Sequence, residues 1–198
     1  MEIIFFPGWS GLPKQSYNPL LKRFESLGVK THTVPYKLGG TGSIKGTATL
    51  FENWRGDNMF AGELTTPFVY VGHSMGGLVA RHAIQYLGHK PDAYVSLGTP
   101  HNGVGYYDLL PHWGPFAAAK EMRAGSIYLN RLNALEWPTD VPGMTLEGAW
   151  DLIVPDGTYT ALKNEKIPHQ THAGLLWSER TFLEIGAFLD YELGLLSL

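Results

Sequence analysis

The chain has 198 residues, 44% of them hydrophobic and 17% charged, which suits one globular domain with a sizeable core and excludes a disordered chain. Its net charge of -3 gives no reason to expect a nucleic-acid partner. Cysteine is absent, so disulfides, thiolate metal sites and a cysteine nucleophile are excluded.

Ile3 to Phe6 is a fully apolar run closed by Pro7-Gly8, the mark of a buried strand. Ser16 is placed to cap a helix carrying Leu20, Leu21, Phe24 and Leu27 on one side, with Gly28 as its stop. Val29 to Val34 reads as a second strand, Lys37 to Gly46 as a glycine-rich loop, and Thr47 to Met59 as a weaker helix with Phe51 and Trp54 as core candidates. Phe68 to Val71 is the third strand, Met75 to Leu87 a helix and Ala93 to Leu97 the fourth strand.

From Thr99 to Pro142 the pattern loosens, with helical stretches at Phe116 to Met122 and Ser126 to Leu135. Met144 to Ala149 reads as a fifth strand and Glu165 to Pro168 as a short sixth. A closing helix from Ser178 to Leu193 puts Phe182, Ile185, Leu189 and Leu193 on one face. Strands alternating with helices predict a mostly parallel central sheet flanked by helices, an α/β class, over residues 1–198 as one domain.

No apolar run is long enough to span a bilayer, and Met1 to Gly8 lacks the basic region and long apolar stretch of a signal peptide. A cytoplasmic protein is the expected location, a mature secreted form the alternative.

The chemistry concentrates at Gly72-His73-Ser74-Met75-Gly76-Gly77, between the third strand and the helix after it. A Gly-x-Ser-x-Gly in that setting resembles the nucleophile elbow of α/β-hydrolases, a strained turn that lifts the serine hydroxyl above the sheet. Glycines flank the serine because a side chain there would collide with the neighbouring strand or helix.

In parallel α/β sheets active residues gather at the carboxyl ends of strands, and the resemblance to α/β-hydrolases implies the chain order serine, acid, histidine. Asp151 directly follows the fifth strand and precedes an apolar turn, Leu152-Ile153-Val154, which suits an acid that orients an imidazole. Asp156 is the rival, although Pro155-Asp156-Gly157 is also an ordinary turn signal. Of the eight histidines only His169 and His172 follow Asp151. Both lie in the loop before the closing helix and compete for the role of base. Their spacing also matches a metal pair, but no nearby carboxylate pattern supports one.

With Ser74 as nucleophile and His172 as base, two backbone N–H groups would face the oxyanion. They are Met75, which follows the nucleophile, and Trp9, in the loop Pro7-Gly8-Trp9-Ser10-Gly11 after the first strand.

The chain resembles bacterial lipases and esterases of the α/β-hydrolase fold. The likeness rests on Pro7-Gly8-Trp9, Gly72 to Gly77, Ser96-Leu97-Gly98-Thr99-Pro100-His101-Asn102-Gly103, Glu121 to Ser126, Trp150 to Val154 and His172-Ala173-Gly174-Leu175-Leu176. The resemblance implies Ser74, Asp151 and His172 as a catalytic triad. It further implies hydrolysis of a small-molecule acyl ester or lipid without an organic cofactor. The chain would be a small form that begins at the strand before the oxyanion loop. It carries Pro7-Gly8 where related lipases usually carry His-Gly, and no counterpart of the metal-binding insertions of larger lipases is found.

Other residues have plainer readings. His101 precedes the acid and suits a structural hydrogen bond. His73 suits packing at the elbow, or contact with a catalytic neighbour. Residues 104–137, with Tyr106 to Trp113 at their apolar centre, suit a lid or acyl-binding wall, or ordinary packing over the sheet. Trp177 and Phe182 read as core. The same triad would serve a thioesterase, an acyltransferase or an amidase, and a silent binding domain on the same scaffold is a third reading.

Overall fold

A computed structural model describes residues 1–9, 17–36, 42–60, 62, 67–104 and 116–194. Chain order is β1 (Glu2–Phe6), α1 (Asn18–Ser26), β2 (Lys30–Thr33), α2 (Ile44–Phe60), β3 (Phe68–His73) and α3 (Met75–Gln85). It continues with β4 (Ala93–Leu97), α4 (Ala117–Glu121), α5 (Ile127–Asn133), β5 (Gly143–Gly148), β6 (Lys163–Ile167) and α6 (Glu179–Leu193). One 3₁₀ turn, Gly174–Leu176, precedes α6.

The six strands form one sheet in the order β2-β1-β3-β4-β5-β6, and every described pairing is parallel. Burial follows from that order. β1, β3 and β4 are central, buried throughout, and read as nearly continuous apolar runs. β2 (Lys-Thr-His-Thr) and β6 (Lys-Asn-Glu-Lys-Ile) take the two edges, where polar side chains meet water and discourage pairing with other chains.

Successive strand residues point to opposite faces. Ile4, Phe6 and Tyr70 therefore join Phe51 of α2 and Leu78 and Val79 of α3 in one cluster. Ile3, Phe5, Val69 and Val71 join Phe24 of α1 and Ile185 and Leu189 of α6 in the other. Each fully buried side chain of this size contributes about 1.5–3 kcal/mol of transfer free energy, so both faces hold the helices firmly.

Local signals set the helix ends. Ser178 accepts a hydrogen bond from Thr181 N (3.2 Å) at the start of α6, and Ser126 accepts one from Leu129 N (3.1 Å) at the start of α5. In α1, Gly28 stands at φ 80° just past the last turn, and Val29 N returns to Phe24 O (3.1 Å).

Several expectations need correction. α2 begins at Ile44 rather than Thr47, because Ser43 and Glu121 supply acceptors for its first N–H groups. Leu27 falls beyond the last turn of α1 and is exposed rather than on the packed side. Trp177 is 56% exposed, because the 3₁₀ turn buries Leu175 and Leu176 and directs the next residue outward. Ser16, Lys37 to Thr41, Ser10-Gly11 and Tyr106 to Trp113 lie outside the described residues. No helix among the described residues is long and apolar enough to cross a membrane.

The strand register brings the chemistry to one edge. Phe6 pairs with Gly72, His73 with Leu97, Leu97 with Leu146 and Gly148 with Ile167. The segments beginning at Pro7, Ser74, Gly98, Ala149 and Pro168 thus all leave the same end of the sheet.

Candidate active site

Ser74 joins β3 to α3 at φ 53° and ψ -126°, a conformation that L residues adopt only under constraint. Its N–H donates to Leu97 O (2.8 Å) on β4, and its carbonyl accepts from Gly77 N (3.1 Å) in the first turn of α3. The turn is this tight because nothing occupies the inner side of Gly76. A Cβ there would stand 2.0 Å from the carbonyl oxygen of Phe6. β1 therefore runs directly against the start of α3. The loop after β1 continues past Ser74, where a Cβ on Gly8 would lie 3.2 Å from Ser74 Cβ.

Asp151 and His172 meet above the neighbouring strands. Nδ1 of His172 donates to Oδ2 of Asp151 at 2.7 Å, and the Asp151 side chain is fully buried. Its other oxygen, Oδ1, accepts from Ile153 N (2.9 Å) and Val154 N (2.8 Å). The apolar turn after β5 thus holds the carboxylate from behind and leaves one oxygen for the imidazole. With Nδ1 carrying the proton, Nε2 keeps its lone pair and is able to accept one.

Gly98 makes room for this pair. It stands at φ 52°, and a Cβ would lie 3.1 Å from both Asp151 Oδ2 and His172 Nδ1. Sequence reading passed over it. Its signal is a glycine immediately after the apolar run Ala93 to Leu97, at the strand end beside the elbow.

The rival residues point elsewhere. Asp156 is exposed and its carboxylate serves its own turn, accepting from Thr158 Oγ1 (2.6 Å) and Thr158 N (3.2 Å). Those bonds, led by the hydroxyl, hold it below the usual aspartate value. His169 is exposed at φ 57° and meets the Trp150 ring edge-on at 4.8 Å. His101 is buried between Arg81 and Ser96. Arg81 Nη1 donates to its Nδ1 (3.1 Å), and its Nε2 donates to Ser96 Oγ (3.0 Å). Burial first, and the Arg81 charge second, hold His101 well below the ordinary histidine value.

His73 touches His172. Its Nε2 donates to the backbone oxygen of His172 (3.0 Å), and the two ring centroids are 4.8 Å apart. Burial pushes its pKa down to about 3, so it is neutral.

Met75 is fully buried as the first residue of α3, at the positive end of the helix dipole. Trp9 packs its ring against the core and edge-on to Phe116 at 5.6 Å. Among the described residues no group of three or more His, Asp or Glu side chains is arranged to hold a metal ion. A cleft of about 800 Å³ beside α3, lined by His82, Tyr86, Lys120 and Tyr128, contains none of Ser74, Asp151 or His172.

Comparison with known proteins agrees with this architecture. The model of a PGAP1-like alpha/beta domain matches residues 58–107, from the end of α2 to the segment after β4. The mature Bacillus licheniformis lipase BlEst2 superposes with a TM-score of 0.74 at 14% identity, over 96% of this chain and 91% of that one. The chain has the α/β-hydrolase fold. Paleococcus ferrophilus monoacylglycerol lipase superposes with a TM-score of 0.69 at 11% identity, over 98% of this chain and 94% of that one. Legionella pneumophila phospholipase PlaB aligns with 75% of this chain at 19% identity and a TM-score of 0.64. The chain spans only 37% of the PlaB chain. No curated protein matches the sequence.

Proposed function

We propose that the protein is a serine carboxylic ester hydrolase that works through an acyl-Ser74 intermediate. The observation that carries this reading is the Asp151–His172 hydrogen bond of 2.7 Å, built over the same sheet end as the strained Ser74 turn. An imidazole oriented in this way, when it reaches a serine hydroxyl, activates it for acyl transfer.

In the proposed cycle His172 Nε2 takes the Ser74 proton as Oγ attacks the ester carbonyl. Asp151 holds the tautomer and stabilises the imidazolium, while Ile153 and Val154 N–H keep the carboxylate in place. The tetrahedral oxygen would lie against the N–H groups of Met75 and Trp9, where each donor is worth about two to three powers of ten in turnover. Collapse expels the alcohol, which receives the proton from His172. Water activated by the same imidazole then releases the acid and regenerates Ser74.

Solved structures of this fold described as a lipase, a monoacylglycerol lipase and a phospholipase support an acyl ester or lipid as substrate. Phe116, whose ring meets Trp9 edge-on, would border the acyl pocket. The test is hydrolysis of a nitrophenyl ester series from acetate to palmitate. Unaltered protein should hydrolyse part of the series, and Ser74→Ala should lose about three or more powers of ten in turnover. Equal turnover in the variant would refute the assignment.

A further inference from the structure

The loop from Pro168 to Ala173, which carries His172, has main-chain ties to the segment after β5 and to the last residue of β3. Trp150 N donates to Gln170 O (2.9 Å), joining the loop to the turn that bears the acid. His73 Nε2 donates to His172 O (3.0 Å), joining it to the residue that precedes the nucleophile. The second tie spans 99 positions of sequence and ends on the backbone of the base itself. Together the two main-chain anchors hold His172 where its Nδ1 meets Asp151 Oδ2.

From this geometry we infer that His73 is a positioning residue: its Nε2–H tether sets the placement of His172 relative to Ser74. The inference rests on the triad reading above. A carbonyl only accepts, so the tether requires the Nε2–H form of His73. Its other nitrogen, Nδ1, is buried without a hydrogen-bond partner, and a Cβ on Gly8 would approach it to 3.0 Å. Nothing in the enclosure therefore rewards the opposite tautomer. Burial also keeps the ring uncharged, so it does not repel the positive charge that would form on His172. The His172 carbonyl gains a partner, and the loop gains a fixed distance to the elbow.

The test compares His73→Leu, which fills the space but cannot donate, with His73→Gln, whose amide nitrogen reaches the place of Nε2. A fluorophosphonate first titrates the reactive serine in each protein, so that rates refer to competent sites and not to the folded fraction. His73→Leu should lower kcat per titrated site by about tenfold to a hundredfold, as misplacement of a catalytic group does, with KM for a short ester changed less than about twofold. His73→Gln should restore most of that loss. Per-site turnover in His73→Leu within about twofold of the unaltered protein would overturn the inference, as would a glutamine no better than leucine. Should His73→Leu fail to fold, nitrogen-15 spectra of the unaltered protein decide the matter: a neutral Nε2–H ring is required, and an Nδ1–H ring would overturn the tether. Absence of any serine adduct in the unaltered protein is a different failure, because it removes the triad reading itself.

Discussion

Asp151 presents its two carboxylate oxygens to different partners: Oδ2 to His172 Nδ1 at 2.7 Å, and Oδ1 to the backbone of Ile153 and Val154. The carboxylate is thereby held on both sides, and the imidazole tautomer follows from it.

Asp151→Asn should keep this frame but reverse the hydrogen bond, since the amide can donate to Nδ1 and leave the proton on Nε2. Turnover should fall by about 10³- to 10⁴-fold, with little change in thermal stability. Asp156→Asn should stay within about threefold of the unaltered protein, because its carboxylate is bound to Thr158 and Asn102. Steady-state kinetics of the two variants check this, and the reverse ranking would identify Asp156 as the acid.

Gly98→Ala should damage activity more than stability. An alanine at φ 52° costs about 1 kcal/mol in backbone strain, or a few degrees in Tm. Its methyl, however, would press on Asp151 Oδ2 and His172 Nδ1 together. A displacement of the pair by a few tenths of an ångström should reduce kcat by about one to two powers of ten. Kinetics and a thermal melt on the same sample separate the two effects. A large fall in Tm with turnover preserved would contradict the packing described.

Arg81→Lys should be a stability variant. Arg81 is fully buried, donates through Nε to Gln85 Oε1 (3.0 Å) and through Nη1 to Asn133 Oδ1 (3.0 Å), and lies 3.8 Å over the Tyr159 ring. A lysine cannot reproduce that planar fork. The expected cost is about 2–4 kcal/mol, with Tm lowered by roughly 5–15 °C and turnover at low temperature nearly unchanged. Calorimetry checks it, and an unaltered Tm would show that these bonds contribute nothing net.

Stability should fall as the pH drops below the ordinary histidine value. Burial holds His73 at about 3, His82 at about 4 and His101 well below 6.5, so all three are neutral in the folded chain. The unfolded chain takes up protons at these residues from about 6.5 downward, so their contribution is complete above that value and shrinks as the pH falls through it. Glu121 and Glu147, raised by burial above 4.5, act in the opposite direction near that lower value. Between pH 7 and about 5.5 the histidines dominate, and Tm should decline steadily. A flat or rising Tm over that interval would refute the burial of these rings.

What was legible in the sequence is what local pattern controls. The run Phe68 to Val71 announces a strand buried on both faces, and Ser178 announces the start of α6 because its hydroxyl caps a helix whose apolar residues recur on one face. Glycine-flanked Ser74 announces its turn because only glycine fits the approach of Phe6 to Gly76. What stayed hidden depends on distant partners. The first turn of α2 is completed by Glu121, 77 residues away, so composition placed its start too late. The choice between His169 and His172 rests on which ring reaches Asp151, and spacing carries no record of that. The tether from His73 is likewise visible only when the strand ends are brought side by side. Leu27 and Trp177 show the converse, since apolar character alone does not say that a residue past the end of a turn faces water.

The most direct measurement is peptide mass spectrometry after treatment with a serine-directed fluorophosphonate. One adduct is expected, on the peptide containing Ser74, formed at a rate reduced by at least about a hundredfold in His172→Ala. An adduct on another residue, or labelling of Ser74 at an undiminished rate without His172, would contradict this expectation.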